Sequence, residues 1–154
     1  MTAGARPAGA FQDLRDSFES SRLPAPPASR GSGAAANSVA WAHAAFYVAG
    51  GVWPIVSLRS FEAVTGPKVD GWLVKTVGGL LAAAGAAIGS AAAKRRVTPE
   101  IALVGAGCAA TLAAIDIVYV SRGRIPPVYL LDAAAEIGLV AAWAAVAGDL
   151  DRRG

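Results

Sequence analysis

Four long segments of this 154-residue chain are almost free of charged side chains, and they constrain the fold more than any other feature. A helix rises about 1.5 Å per residue, so roughly 20 apolar residues cross a hydrocarbon layer of about 30 Å. The segments that reach this length are residues 39–57, 71–92, 99–120 and 126–148. The sequence therefore predicts an all-α, polytopic membrane protein with four transmembrane helices in an antiparallel bundle.

The composition argues against an ordinary soluble domain. Hydrophobic residues make up 55% of the chain and charged residues only 16%, whereas soluble domains average about 25% charged residues. A small globule needs more polar surface rather than less. The net charge of +3 comes from basic residues scattered between the apolar segments, so we predict contact with the lipid bilayer and no nucleic-acid partner.

The regions outside the four spans are short or polar. Residues 1–38 are rich in Ala, Pro, Ser and Gly and carry acids where a signal peptide would be apolar. We predict a mostly disordered cytoplasmic tail, in which residues 11–23 could form a short amphipathic helix through Phe11, Leu14 and Phe18. Residues 149–154 would be a short cytoplasmic C-terminus.

Basic residues predict the orientation of the bundle, because cytoplasmic flanks carry an excess of Lys and Arg. Lys94, Arg95 and Arg96 lie in the tight turn between the second and third spans. This turn and both termini are therefore expected in the cytoplasm. Aromatic residues agree with this frame, since they fall near both predicted interfaces: Trp53, Trp72, Tyr119 and Tyr129 on the outer side, and Trp41 and Trp143 on the inner side.

Small residues predict close helix packing. Gly85 and Gly89 form a small-xxx-small pair, a pattern that lets helix backbones approach in a membrane. Further glycines within the spans are Gly78, Gly79, Gly105 and Gly107. The pattern does not distinguish contacts inside one bundle from contacts between copies, so a homodimer or another partner protein stays open.

Four ionisable residues inside the predicted spans are the candidate binding site: Lys75, Asp116, Asp132 and Glu136. An ionised group in the apolar core costs a few kcal/mol or more unless it is paired, protonated or solvated. With a helical rise of about 1.5 Å per residue, the first three residues lie about 9–10 Å from the membrane midplane on its outer side. Glu136 lies one helical turn closer to the midplane. We expect them to form an inward-facing polar cluster.

This predicted cluster holds one base and three acids. A proton, a bound cation or an inward-folded Arg59 could compensate the surplus negative charge. Alternatively, Lys75 could pair with Asp116 or Asp132 and clamp two helices. Glu136 is the deepest acid and hence the first candidate for handling a proton or a cation.

The longest connection between spans, residues 58–70 (LRSFEAVTGPKVD), supplies further candidate contacts. Its charged residues are Arg59, Glu62, Lys68 and Asp70. They could belong to a lid or recognition loop, or to a simple polar hairpin. His43 and Cys108 are interpreted as packing residues. The sequence carries no known catalytic or nucleotide-binding motif, so we predict neither a metal site nor a cofactor.

Residues 53–79, WPIVSLRSFEAVTGPKVDGWLVKTVGG, resemble a signature of uncharacterised small bacterial four-helix integral membrane proteins. This resemblance covers residues 39–148 and implies a bacterial inner (plasma) membrane protein, without implying an activity. A weaker similarity to DoxX-like proteins rests on span number and size. Small multidrug transporters also have four spans, but their essential acid lies in the first helix, where this chain has none.

Three functions remain open from the sequence. The buried acids favour a protein that binds or transports a small polar solute, a proton or a cation. The second function is a structural or accessory subunit without chemistry of its own. The third is a small membrane enzyme that uses Asp132 and Glu136 as acid and base on a hydrophobic substrate.

Overall fold

The computed structural model describes residues 30–151, which form five helices. Four of them are long and apolar enough to span a membrane, and one is short. In chain order the helices are α1 (Arg30–Val56), α2 (Leu58–Thr65), α3 (Gly71–Ala93), α4 (Pro99–Ser121) and α5 (Tyr129–Asp151). The predicted all-α fold with four apolar spans is confirmed, and the protein is membrane-embedded by this criterion.

The four long helices form a bundle that is packed unevenly. Helix α1 packs closely along α3, α4 packs closely along α5, and contacts between α1 and α5 join the two pairs. Successive spans are antiparallel because the connections between them are short. Their contacts place them around the bundle in the chain order α1, α3, α4 and α5. Helices α3 and α4 touch only sparsely. The seam between α3 and α4 is therefore the loosest of the four.

Glycines bring α1 and α3 into backbone contact. A Cβ atom on Gly78 would lie 2.5 Å from the carbonyl oxygen of Gly51, and one on Gly85 would also collide with α1. Space is open around Gly79 and Gly107. Gly78 and Gly85, two of the predicted small residues, therefore pack against another helix of the same bundle. Gly51 does so too, although the predicted small-residue pattern did not include it.

Helix α1 begins earlier than predicted. The sequence assigned residues 30–38 to the tail, but they are helical, and Ala36 and Ala40 are fully buried beside Ala92 and Leu150. Alanine has the best helix propensity, and here its burial against the core outweighs the neighbouring Gly and Ser residues. The predicted helix at residues 11–23 lies outside the described residues, as do residues 152–154.

The connection after α1 is a helix rather than an open hairpin. Ser57 caps α2, because its side-chain oxygen accepts a hydrogen bond from the Ser60 backbone N–H at 3.4 Å. The Trp53 indole N–H donates to the Ser60 hydroxyl at 2.8 Å, and its ring packs edge-on against Phe61 at 5.5 Å. These contacts fasten α2 across one end of the bundle, which we call the α2 end.

Trp143 is buried in the bundle, a property that its predicted nearness to the inner interface did not indicate. Its side chain is only 1% exposed and belongs to the hydrophobic core, whereas Trp41 is exposed. The reason is a hydrogen-bond partner inside the bundle, since the Trp143 indole N–H donates to His43 Nδ1 at 2.9 Å. A buried indole needs such an acceptor, and the partner lies 100 residues away in sequence.

Candidate functional site

A cavity of about 770 Å³, here named the acidic chamber, lies at the α2 end of the bundle. Its walls come from all four long helices, and α2 with the following loop covers it. Such a volume is typical of sites for small molecules. The lining side chains are mostly apolar or aromatic and include Phe46, Trp53, Phe61, Leu73, Val77, Leu81, Leu112 and Val128.

Three of the predicted site residues meet in this chamber. Asp116 comes from α4, while Asp132 and Glu136 come from α5, one helical turn apart. Asp116 is 5% exposed and Glu136 is 1% exposed. The side chains of Asp116 and Asp132 are neighbours in the chamber wall. Two neighbouring carboxyl groups can hydrogen-bond to each other only with a proton between them.

Lys75, the fourth predicted member, lies elsewhere. Its side chain is exposed and is not among those that line the chamber. Lys75 occupies the second turn of α3, so its long stem can extend toward the membrane boundary while its ammonium group stays hydrated. The prediction that Lys75 joins the acids, either as a cluster member or as a clamp, is therefore wrong.

Lys68 is the one base among the described residues that line the chamber. The Lys68 ammonium group lines the chamber, donates to the Thr65 carbonyl oxygen at 2.7 Å and lies 5.0 Å from the centre of the Tyr129 ring. The backbone N–H of Lys68 donates to Glu62 Oε1 at 3.0 Å. Glu62 thus fixes the loop that presents Lys68. No sequence pattern distinguishes Lys68 from the other charges of that connection.

The remaining charged residues of the predicted outer loop, Arg59 and Asp70, do not line the chamber. Arg59 is exposed, so an inward-folded Arg59 is not the compensating charge. Asp70 is exposed and occupies the N-cap position of α3, where its side chain makes no capping hydrogen bond.

Tyr47 is a member of the site that the sequence analysis missed. Its hydroxyl group donates to Glu136 Oε2 at 3.3 Å, which joins α1 to α5. His43, one turn away on α1, packs edge-on against the Tyr47 ring at 4.1 Å. Tyr47 therefore contacts both His43 and Glu136. The helical spacing of four residues between His43 and Tyr47 was the available signal.

The polar groups around the chamber are incompletely paired. Asp116 Oδ2 is buried and has no hydrogen-bond partner within residues 30–151. Counted as ionised groups, the lining holds three acids and one base, Lys68. A buried carboxylate without a partner is costly, so this arrangement favours a positively charged guest or a proton at Asp116.

Within residues 30–151, no three His, Cys, Asp or Glu side chains converge closely enough to hold a metal ion. Cys108 is half-buried and is a free thiol. Besides the three acids, the polar side chains that line the chamber are those of Tyr47, Trp53, Thr65, Lys68 and Tyr129.

A comparison of the chain with models of known protein families found no match, and comparisons with curated proteins and with solved structures found no significant similarity. The resemblance of residues 53–79 to small bacterial four-helix proteins thus stays a prediction. The functional interpretation rests on the geometry of the acidic chamber.

Proposed function

We propose that this protein binds a small solute or cation in the acidic chamber and transports it. The unpaired, buried Asp116 Oδ2 carries the proposal, because a carboxylate oxygen without a partner in an apolar protein interior calls for a positive charge or a proton. Asp132 is a neighbour of Asp116 in the chamber wall, and Glu136 lies one turn away from Asp132 on α5. The three groups together can accept a guest with one or more positive charges.

The location that we propose is the bacterial inner (plasma) membrane, with both termini in the cytoplasm. The exposed basic residues Lys94, Arg95 and Arg96 support this orientation, because they lie in the α3–α4 turn at the end of the bundle opposite the chamber. In that frame the chamber opens on the outer side, and α2 lies over its mouth. A solute would then reach the acids from outside the cell.

A second candidate function is a structural or accessory subunit in which the acids clamp helices. The Tyr47–Glu136 hydrogen bond, which connects α1 to α5, favours it, and the neighbouring side chains of Asp116 and Asp132 lie on α4 and α5. Such interhelical hydrogen bonds stabilise membrane bundles by about 0.5–2 kcal/mol each. A clamp of this kind needs neither the chamber volume nor the free oxygen of Asp116.

Native mass spectrometry of the gently solubilised protein tests the proposed function. Wild-type protein should release a bound small molecule or ion that Glu136→Gln protein retains less. Glu100→Gln is the matched control, because it makes the same change at an exposed position in the first turn of α4. Circular dichroism shows whether each variant is folded.

The outcomes separate the two candidate functions. A small molecule lost from Glu136→Gln protein and kept by Glu100→Gln protein supports binding and transport. Retention of a partner polypeptide by both variants, with no small molecule, supports the accessory subunit. Absence of any small molecule or ion from folded wild-type protein contradicts the proposed function.

A further inference from the structure

We propose that the guest of the acidic chamber is an organic ammonium ion with an apolar body. This inference rests on the proposed function and narrows it to a substrate class. The carboxyl groups of Asp116, Asp132 and Glu136 would receive the cationic end, and the aromatic wall of Phe46, Trp53 and Phe61 would receive the body.

The size and the walls of the chamber point to an organic guest. Its volume of about 770 Å³ is far larger than an inorganic ion requires, since a single water occupies about 30 Å³ of liquid. Hydrated ions also need polar neighbours around most of their shell. Polar groups form only part of the chamber wall. An apolar part of a guest therefore suits the rest of the chamber better than ordered water does.

The acids provide a site for one cationic group rather than for a metal ion. Within the described residues no three potential metal ligands converge on one point. Asp116 nevertheless presents a buried carboxylate oxygen without a partner, and Asp132 lies beside it. An organic ammonium ion suits this pattern because its positive charge attracts neighbouring carboxylates and aromatic rings without demanding a fixed coordination geometry.

Lys68 shows that the mouth of the chamber already holds an ammonium group against an aromatic ring. Its Nζ atom lies 5.0 Å from the centre of the Tyr129 ring and donates to the Thr65 carbonyl oxygen. Cations are attracted to the faces of aromatic rings because the ring face carries partial negative charge. The chain's own lysine therefore occupies the kind of environment that a cationic guest would meet on its way to the acids.

The loose seam between α3 and α4 gives an apolar guest a route from the bilayer. Leu73 and Val77 of α3 line the chamber and are 47% and 43% exposed, and the chamber is not enclosed on all sides. An opening along the α3–α4 seam would lead from the chamber to the surrounding lipid. A guest with an apolar body dissolves in that lipid and can enter sideways, whereas a hydrated inorganic ion cannot.

Isothermal titration of the full chain in lipid nanodiscs tests this substrate class with four water-soluble probes. Benzyltrimethylammonium carries both the charge and the ring, tetramethylammonium carries the charge alone, benzyl alcohol carries the ring alone, and Na⁺ is the inorganic reference. Empty nanodiscs correct for partitioning into lipid. We expect benzyltrimethylammonium to bind about tenfold more tightly than tetramethylammonium, because only its ring adds contacts with the aromatic wall.

Variants assign the binding to the chamber. Asp116→Asn should weaken benzyltrimethylammonium binding at least about tenfold, because it removes one ionic contact. Glu100→Gln should leave the affinity unchanged. Trp53→Ala should weaken the binding of benzyltrimethylammonium more than that of tetramethylammonium. The probe comparison on wild-type protein needs no variant, so it remains decisive even if Asp116→Asn protein does not fold.

The results that would contradict this substrate class differ from those that would contradict the proposed function. If tetramethylammonium or Na⁺ binds as tightly as benzyltrimethylammonium, the substrate class is wrong while cation binding stands. If benzyl alcohol binds as tightly as benzyltrimethylammonium, or if neither organic cation binds, the substrate class is also wrong. A small molecule retained in mass spectrometry and lost from Glu136→Gln protein would still support the proposed function in those cases.

Discussion

Replacing Gly78 by alanine tests the backbone contact between α1 and α3, which forms one side of the chamber. The added Cβ atom would lie 2.5 Å from the Gly51 carbonyl oxygen and 3.1 Å from Pro54 Cγ. The first neighbour is backbone, so it cannot rotate away, and the two helices must separate. Overpacking of this kind costs about 1–3 kcal/mol.

Gly79 is the matched control for Gly78. It is the next residue in the same helix, and a Cβ atom placed there meets nothing within 4 Å. Both substitutions gain the same helix propensity, about 0.5–1 kcal/mol in a water-soluble helix. That gain cancels in the comparison, so Gly78→Ala should have a free energy of unfolding about 1–3 kcal/mol lower than that of Gly79→Ala.

Reversible unfolding in mixed detergent micelles, with circular dichroism as the readout, measures this difference. Wild-type protein supplies the reference curve. Equal free energies of unfolding for the two variants, within about 0.5 kcal/mol, would refute the close approach of α1 and α3 at Gly51. A lower stability for Gly79→Ala than for Gly78→Ala would show that α3 turns a different face to α1.

Three further substitutions probe the polar contacts. Tyr47→Phe should lower the free energy of unfolding by about 0.5–2 kcal/mol in the same assay, because Glu136 loses its hydrogen-bond donor; an unchanged value would contradict the bond. Trp143→Phe should cost about 1–3 kcal/mol, since it leaves a buried His43 nitrogen without its donor, and wild-type stability would argue against that contact. Lys68→Gln should tighten the binding of benzyltrimethylammonium about fivefold, because it removes one like charge, worth about 1 kcal/mol near solvent; weaker binding in titration would show that Lys68 assists the guest.

The four spans were predictable because their signal is local. Each span is a continuous apolar segment, and bilayer thickness alone converts its length into a helix. The helical start of α1 was missed for the opposite reason. Residues 30–38 have the composition of a linker, and they are helical because Ala36 and Ala40 are buried against α3 and α5, which no local pattern encodes.

The acids of the site were predictable from the cost of placing charge in a membrane, but their partners were not. Asp116, Asp132 and Glu136 stand out within apolar segments, and the structure brings them together. Lys75 stands out equally, yet the rotation of α3 directs it outward. Tyr47 is hidden because an aromatic residue in a span is ordinary, and only the packing of α1 against α5 gives it a carboxylate to contact.

We propose that the chamber lies inside the membrane-embedded bundle and accepts cations, and thiol labelling tests both properties. Leu81 lines the chamber, while Leu80 beside it is largely exposed on the outside of α3. In a Cys108→Ala background, each of the variants Leu81→Cys and Leu80→Cys carries a single thiol at about the same depth in the bundle. The thiol of Leu81→Cys protein faces the chamber, and the thiol of Leu80→Cys protein lies on the outside of α3. In lipid bilayers, a cationic methanethiosulfonate reagent should modify Leu81→Cys protein faster than an anionic one does, and should leave Leu80→Cys protein largely unmodified. Equal modification of both variants, or a preference of Leu81→Cys protein for the anionic reagent, would contradict the claim.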